Sequence, residues 1–280
     1  MKILAIGDFH GKLPEKLEKV ARRKDIDFII SSGDFANADK IRKIIFKNWA
    51  NKKWHEAIGV AKAARLEKES YNSGLRIMKE LNKLKKNFYF VWGNSDFYRE
   101  FVTGEPEEIM PGHYDDALGK LRNLNLIDRR KVKIKGVEIL GHGGYVDVTE
   151  FVRSSVDKDR KTYLRRVKRY KKQEREMNKM FRKKKPKNFI FVTHYTPYKI
   201  LDRVNFKGSP MHGKKVGWEP YNRVIKKYSP FLVICGHMHE NQGMQKLGSS
   251  LVVNPGSAKE GKAAIIEIEG KRVLNVKFLR

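Results

Sequence analysis

The stretch MKILAIGDFHG, residues 1–11, decides the fold: Ile3 to Ile6 form a short apolar run that stops at Gly7 and is followed by Asp8, Phe9, His10 and Gly11. An apolar run of strand length ending in glycine reads as a buried central strand. Asp8 to Gly11 then sit at the strand's carboxyl end, where open α/β sheets place their ligands. Residues i and i+2 point the same way in extended chain, so Asp8 and His10 present a carboxylate and an imidazole side by side, a pairing suited to a divalent transition metal. A helix cap beside a surface histidine would look the same, so this stretch alone leaves both readings open.

Working outward, the same ending recurs. Leu13, Leu17, Val20 and Ala21 repeat at helical spacing after Pro14, which predicts a helix covering the sheet. Asp27 to Ser32 is a second buried strand ending at Gly33 and Asp34. The βαβ rhythm makes the two strands parallel and brings Asp34 beside Asp8. Residues 38–86 follow a helical pattern, and Asn87 to Trp92 is a third strand ending in Gly93, Asn94, Ser95 and Asp96. Gly112 to Asn125 is expected to be helical, with Leu118, Leu121 and Leu124 on one side. Val132–Ile134 and Val137–Leu140 flank Lys135-Gly136 as a hairpin, which is expected to open a second, antiparallel sheet. The hairpin runs into Gly141-His142-Gly143-Gly144, which lacks the strand-to-helix context of a dinucleotide loop.

Thr149 to Lys185 reads as a long basic helix or helical hairpin whose apolar stripe, Val156, Tyr163, Val167, Tyr170, Met177 and Phe181, is sparse enough to predict light packing. Phe189 to Thr193 is a strand ending at His194, and the irregular stretch Tyr195 to Glu219, which contains His212, is long enough to be a substrate-facing loop. Phe231 to Cys235 is another strand, ending in Gly236, His237, Met238 and His239. Asn254-Pro255-Gly256-Ser257 and a hairpin around Gly270-Lys271 close the chain. Without repeat, low-complexity linker or composition break, residues 1–280 read as one domain with helical insertions at about 38–86 and 149–187.

Composition bounds the function. With 40% apolar residues the chain is globular. No apolar run approaches membrane-spanning length and the N-terminus leads straight into a strand, so a cytoplasmic protein with no membrane contact is expected. Cys235 is the only cysteine, which excludes an intramolecular disulfide. Sixty-one Lys and Arg against 32 Asp and Glu give a formal charge of +29, and Lys158 to Lys187 concentrates sixteen basic against three acidic residues. That concentration suggests an anionic partner, nucleic acid first. A solvated charged helix, of the kind that accompanies growth at high temperature, fits equally well.

Collected, the strand ends offer Asp8, His10, Asp34, Asn94, His194, His237 and His239. Each has a bland reading alone, but helix caps and core histidines give no reason for ligand types to recur at the carboxyl ends of successive strands. In this order the sequence resembles the calcineurin-like metallophosphoesterase superfamily, whose signature is D-x-H, GD, GN, a lone His and G-H-x-H. Here these stand as Asp8-Phe9-His10, Gly33-Asp34, Gly93-Asn94, His194 and Gly236-His237-Met238-His239, with the Asn254–Ser257 turn also matching.

The resemblance implies a four-layer α/β/β/α sandwich with two divalent metals on one rim. Asp8, His10 and His239 would hold one metal and Asn94, His194 and His237 the other, with Asp34 bridging, so that Asp34 and Asn94 also serve catalysis. It implies a phosphate-ester substrate hydrolysed by in-line attack of a metal-bridging hydroxide. Mixed imidazole, carboxylate and amide ligands suit Mn, Fe, Zn, Co or Ni better than Mg or Ca, with Mn the first choice.

The chain departs from the pattern once. Many members carry a histidine directly after the GN pair, read as general acid for the leaving group, and here that position is Ser95. A serine hydroxyl has no useful pKa near neutrality, so His142 and His212 become candidates for the proton, each also readable as an exposed loop histidine. The departure is shared with the small intracellular phosphodiesterase branch, so a phosphodiesterase is expected. The alternatives are a nuclease or nucleic-acid-binding protein using the basic helix, and a phosphomonoesterase or protein phosphatase.

Overall fold

The computed structural model describes residues 1–49, 53–99, 106–153 and 160–280. In chain order the first elements are β1 (Lys2–Ile6), α1 (Glu15–Ala21), β2 (Phe28–Ser31), α2 (Asp39–Lys47), α3 (Trp54–Ile58), α4 (Val60–Asn82) and β3 (Phe88–Phe90). Then come α5 (Asp115–Leu118), β4 (Leu124–Leu126), β5 (Lys131–Ile134), β6 (Val137–His142), α6 (Thr149–Arg153), α7 (Arg160–Lys184) and β7 (Phe189–Thr193). Last are α8 (Glu219–Tyr228), β8 (Leu232–Ile234), β9 (Gly243–Leu247), β10 (Ser250–Asn254), β11 (Ala263–Glu269) and β12 (Arg272–Leu279).

The strands form two six-stranded sheets, ordered β12-β11-β1-β2-β3-β4 and β5-β6-β7-β8-β10-β9. Strand alternation sorts side chains into three cores. On β1, Ile3 and Ala5 face the other sheet, while Leu4 and Ile6 face α1 and α4. On β7, Ile190 and Val192 face the first sheet, while Phe189 and Phe191 face α7 and α8. Because both faces of both central strands are apolar, each sheet must be covered twice, and four layers result.

The parallel pairing of β1 with β2 is as expected, with Ile3 opposite Phe28. The second sheet differs from expectation. Its hairpin β5–β6 is present, but β6, β7, β8 and β10 pair in parallel and only the two edges are antiparallel. A sheet covered by helices on one face and a second sheet on the other favours crossover connections, which the hairpin signal does not reveal. The helix expected over Gly112–Asn125 shrinks to the four-residue α5, and Leu124 instead starts β4, pairing with Phe88. Leu121 and Leu124 are buried as expected, but in a turn and an edge strand.

The long helical regions supply outer layers. Ile77, Met78 and Leu81 of α4 join the first core, whereas α2, α3 and the start of α4 make a small cluster around Ile41, Trp54, Ala63 and Leu66. On α7, Tyr170, Met177, Met180 and Phe181 are buried, so its second half packs firmly rather than lightly. Val156 and Lys158 lie outside the described residues. Among the described residues no helix is long and apolar enough to cross a membrane.

Candidate metal centre

The turns after β1, β2, β3, β7 and β8 meet at one rim, laced together across both sheets. Four donor-bearing residues there have left-handed backbone: Asp8 (φ 54°), His10 (φ 42°), Asp34 (φ 58°) and His237 (φ 66°). Such conformations cost about 1–3 kcal/mol each and persist where the surroundings over-determine them. Here Asp8 N–H donates to Gly33 O at 2.9 Å, and Asp8 O accepts from Ser257 Oγ at 2.9 Å. His10 N–H donates to Asp34 O at 3.0 Å, and His237 N–H donates to the Asp8 carboxylate at 3.0 and 3.2 Å.

The recurrence of glycine before these residues has a steric cause. A Cβ on Gly93 would stand 2.0 Å from Asp34 Oδ1, and one on Gly236 would stand 2.3 Å from Ser32 Oγ and 2.7 Å from Asp8 Oδ2. Any side chain there would push the carboxylates out of place.

Asp8, His10, Asp34 and His239 form a group whose ligand atoms all lie within 4.8 Å of one another, a group able to hold a metal ion. His10 Nε2 is 2.9 Å from His239 Nε2 and 3.5 Å from Asp34 Oδ2, and His239 Nε2 is 3.4 Å from Asp8 Oδ1. On the other side His194 Nε2 is 2.8 Å from Asn94 Oδ1 and 3.6 Å from Asp34 Oδ2, and the His194 and His237 rings are 5.2 Å apart. The seven sequence-predicted donors are therefore gathered at one rim.

The donor set fits a cation. His10 Nδ1 faces Ala36 O at 3.2 Å and His194 Nδ1 faces Ser32 O at 2.8 Å. A carbonyl only accepts, so these Nδ1 atoms carry their protons and the Nε2 lone pairs point into the cluster. Burial drives His10 and His237 well below the usual imidazole pKa, so both are in the neutral, ligating form. Burial also pushes His239 down, but the hydrogen bond and charge of Asp8 prevail and its pKa is raised. The close approach of His10 Nε2 to His239 Nε2 at 2.9 Å, with Asp8 Oδ1 3.4 Å from the latter, marks the place where a cation would sit. Burial raises the Asp34 carboxyl, against the opposing pull of His194.

Three supporting residues carry no periodic or metal-type signal in the sequence. Asp96 accepts backbone N–H bonds from Gly93 (2.8 Å), Asp34 (2.9 Å), Phe35 (2.7 Å) and Ala36 (3.3 Å), tying the ends of β2 and β3 together. Burial raises its carboxyl to about 7, with the Asp34 charge adding and the N–H donors pulling back. Asn254 donates to Met238 O at 2.8 Å and accepts from Gly256 N–H at 2.9 Å, which sets the loop carrying His239. Tyr195 lies against His237, ring centroids 4.1 Å apart. The position of Asp96 directly after Ser95 in a strand-end turn was the available cue.

The two acid candidates stand apart from this cluster. His142 ends β6, not a loop, and its ring is buried, stacked on Trp218 at 5.7 Å with Nδ1 2.8 Å from the Tyr221 hydroxyl. Burial, helped by Arg129, pushes its pKa down to about 3, so it holds no proton to donate near neutrality. His212 is an exposed residue of a turn in the 195–219 loop. Neither has a contact with the seven donors among those the described residues make.

A family model described as "Metallophosphoesterase, calcineurin superfamily" matches residues 1–278. An uncharacterized protein of Methanocaldococcus jannaschii is 24% identical over 262 residues, 91% of this chain and 88% of that one. Among solved structures, one crystal structure superposes with a TM-score of 0.66 at 21% identity, covering 100% of this chain and 98% of the other. A structure titled a dimetal phosphatase, from Danio rerio, superposes at 0.54 with 10% identity, covering 99% and 98% of the two chains. One from Thermus thermophilus superposes at 0.51 with 15% identity, covering 100% and 99%.

Proposed function

The chain belongs to the calcineurin superfamily of metallophosphoesterases, and from that membership we propose that it hydrolyses phosphate esters at a two-metal centre, taking diesters and activated esters ahead of alkyl monoesters. The observation that carries the reading is Asp34, whose Oδ2 lies 3.5 Å from His10 Nε2 and 3.6 Å from His194 Nε2. One carboxylate oxygen equidistant from an imidazole of each donor group is suited to bridging. In this reading Asp8, His10 and His239 hold one cation, and Asn94, His194 and His237 the other. Two bound divalent cations, Mn first among Mn, Fe, Zn, Co and Ni, would supply Lewis acidity that activates water and offsets charge on the phosphoryl oxygens.

The remaining work falls to the chain's own residues. Ala36 O and Ser32 O fix the tautomers of His10 and His194. Ser95 N–H donates to Asp34 Oδ1 at 2.8 Å and its hydroxyl donates to Asp34 Oδ2 at 3.3 Å, so Ser95 positions the bridging carboxylate and offers no acid to the leaving group. With His142 buried and neutral, an alkoxide would depart without a proton, whereas a good leaving group needs none.

The test is turnover of bis(p-nitrophenyl) phosphate, p-nitrophenyl phosphate and glycerol phosphate across a panel of divalent metals. Hydrolysis that needs added metal, with the diester ahead of glycerol phosphate, supports the proposal. Metal-independent or absent turnover, or glycerol phosphate ahead of the diester, overturns it.

A second reading, nuclease or nucleic-acid binding, is favoured by one observation. Helix α7 exposes Arg165, Lys168, Lys172 and Arg175. Arg169 and Arg166 meanwhile tie the helix to Asp147, in the loop whose Gly144 N–H donates to Trp92 O at 2.6 Å. The exposed basic face is thereby carried on a helix fastened to the loop that packs on the end of β3. Gel-shift assays with labelled DNA and RNA over a salt series test it, and absence of any shift removes it.

A further inference from the structure

Two cations approach the donor cluster from elements outside its motifs. Arg42 lies on α2, and Lys259 lies in the 3-10 turn Ala258–Glu260. That turn is laced to the end of β1, with Ala258 N–H donating to Gly7 O at 2.8 Å and Lys259 N–H donating to Asp8 O at 3.3 Å. Both side chains converge on one carboxylate, that of Asp39. Helix α2 starts at Asp39, three residues after Ala36, whose carbonyl faces His10 Nδ1 at 3.2 Å, and Lys259 sits in the turn bonded to the end of β1, so the pair stands on the His10 side of the cluster.

Two cations on one carboxylate leave a net positive charge. Arg42 and Lys259 remain 42% and 35% exposed, so each keeps donors free for a ligand. A clamp fastening α2 to the rim would need only one of them.

We propose that Arg42 and Lys259 receive a second phosphoryl group of the substrate, so that the site prefers pyrophosphate-type or phosphorylated esters over those with a single phosphoryl group. The proposal rests on the reading of the rim as a phosphoesterase centre. The guanidinium fork suits two phosphoryl oxygens, and the ammonium acts as a point charge beside it. The assignment agrees with Ser95. A leaving group that is itself a phosphate is stable as an anion and departs without a general acid, which is the class of substrate a site with serine at that position can handle.

The test reads binding rather than turnover. Imidodiphosphate, whose bridging nitrogen resists hydrolysis, and orthophosphate are titrated calorimetrically into the Mn-loaded full chain. The parent is expected to bind imidodiphosphate at least about 10-fold more tightly, as one charge-assisted contact provides. The Arg42→Gln, Lys259→Gln double variant is expected to bring that preference below about 3-fold, and Arg42→Lys with Lys259→Arg to retain part of it. Each single Gln variant loses part of the preference, which keeps the test open should the double variant misfold.

Equal affinities in the parent, or a preference that survives the double substitution, overturn the proposal. If the parent hydrolyses bis(p-nitrophenyl) phosphate yet shows no preference, only the assignment of Arg42 and Lys259 fails. If it neither binds these anions nor hydrolyses the reporter, the phosphoesterase reading falls and takes the assignment with it.

Discussion

Asp96 binds no ligand in this account, yet four backbone N–H groups from the turns after β2 and β3 depend on it. Asp96→Asn turns an amide nitrogen toward these donors and leaves at least one buried N–H unpaired, an expected loss of about 1–3 kcal/mol in urea unfolding. Metal affinity is expected to fall by about 10–100-fold, as for other outer-shell changes, and a metal titration that matches the parent would contradict the positioning role. At Ser95 the expectation runs the other way. Ser95→His gives up the 3.3 Å bond from its hydroxyl to Asp34 but keeps the backbone N–H bond at 2.8 Å. A restored acid, worth about 10²- to 10⁴-fold for a poor leaving group, should raise glycerol phosphate turnover relative to the diester. A ratio that stays constant with both metals bound would show that the proton comes from elsewhere. That the seven proposed donors would share one rim was legible in the sequence because each follows an apolar run, and the Asn254–Ser257 turn was also visible, whereas Asp96 and Tyr195 act through backbone or ring contacts between distant segments, which no local spacing encodes.

At the level of elements, helix α7 shows what a charge run conceals. Arg166 and Arg169 look no different in sequence from Arg165 and Lys168, but the first two reach the buried carboxylate of Asp147 while the others face solvent. Replacing Arg165, Lys168, Lys172 and Arg175 with Gln is therefore expected to flatten the salt dependence of nucleic-acid binding, lowering the slope by roughly one for each phosphate left without its cation. Arg169→Gln should instead cost about 1–3 kcal/mol in stability by weakening the partner set of a buried charge. Equal behaviour of the two sets, by gel shift and urea unfolding, would show that the inward and outward faces are wrongly assigned. The elements missed by sequence reasoning are weak for related reasons. Strand β4 has three residues, and β9, GMQKL, is an edge strand whose central side chains are exposed, so neither carries apolar alternation.

Across the whole molecule, three apolar cores share strands, and helices of both inserted regions, α4 and α7, contribute to two of them. We propose that the chain folds as one domain, with a single urea transition expected and two separate transitions contradicting it. The pH dependence of that transition has an identifiable contributor. Inside the fold His142 stays neutral down to about 3, because burial opposes its charging. In the unfolded chain an imidazole takes up its proton near ~6.5. Between those values the unfolded state binds the extra proton, so stability falls as pH is lowered through the window, by up to about 5 kcal/mol. His142→Gln should make the loss between pH 7 and 4.5 smaller, and an unchanged loss would remove His142 as a cause.

The fold class was readable from five strand ends in order, but the parallel heart of the second sheet was not, because crossover connections are set by what covers each face. The central claim, a bridged pair of cations served by Asp34, is tested most directly by counting metal ions per chain alongside hydrolysis of bis(p-nitrophenyl) phosphate in the parent and in Asp34→Asn. The account predicts two per chain and metal-dependent turnover in the parent, and in the variant one or none with activity down by more than about 10²-fold. A variant that keeps two metals and full activity would contradict it.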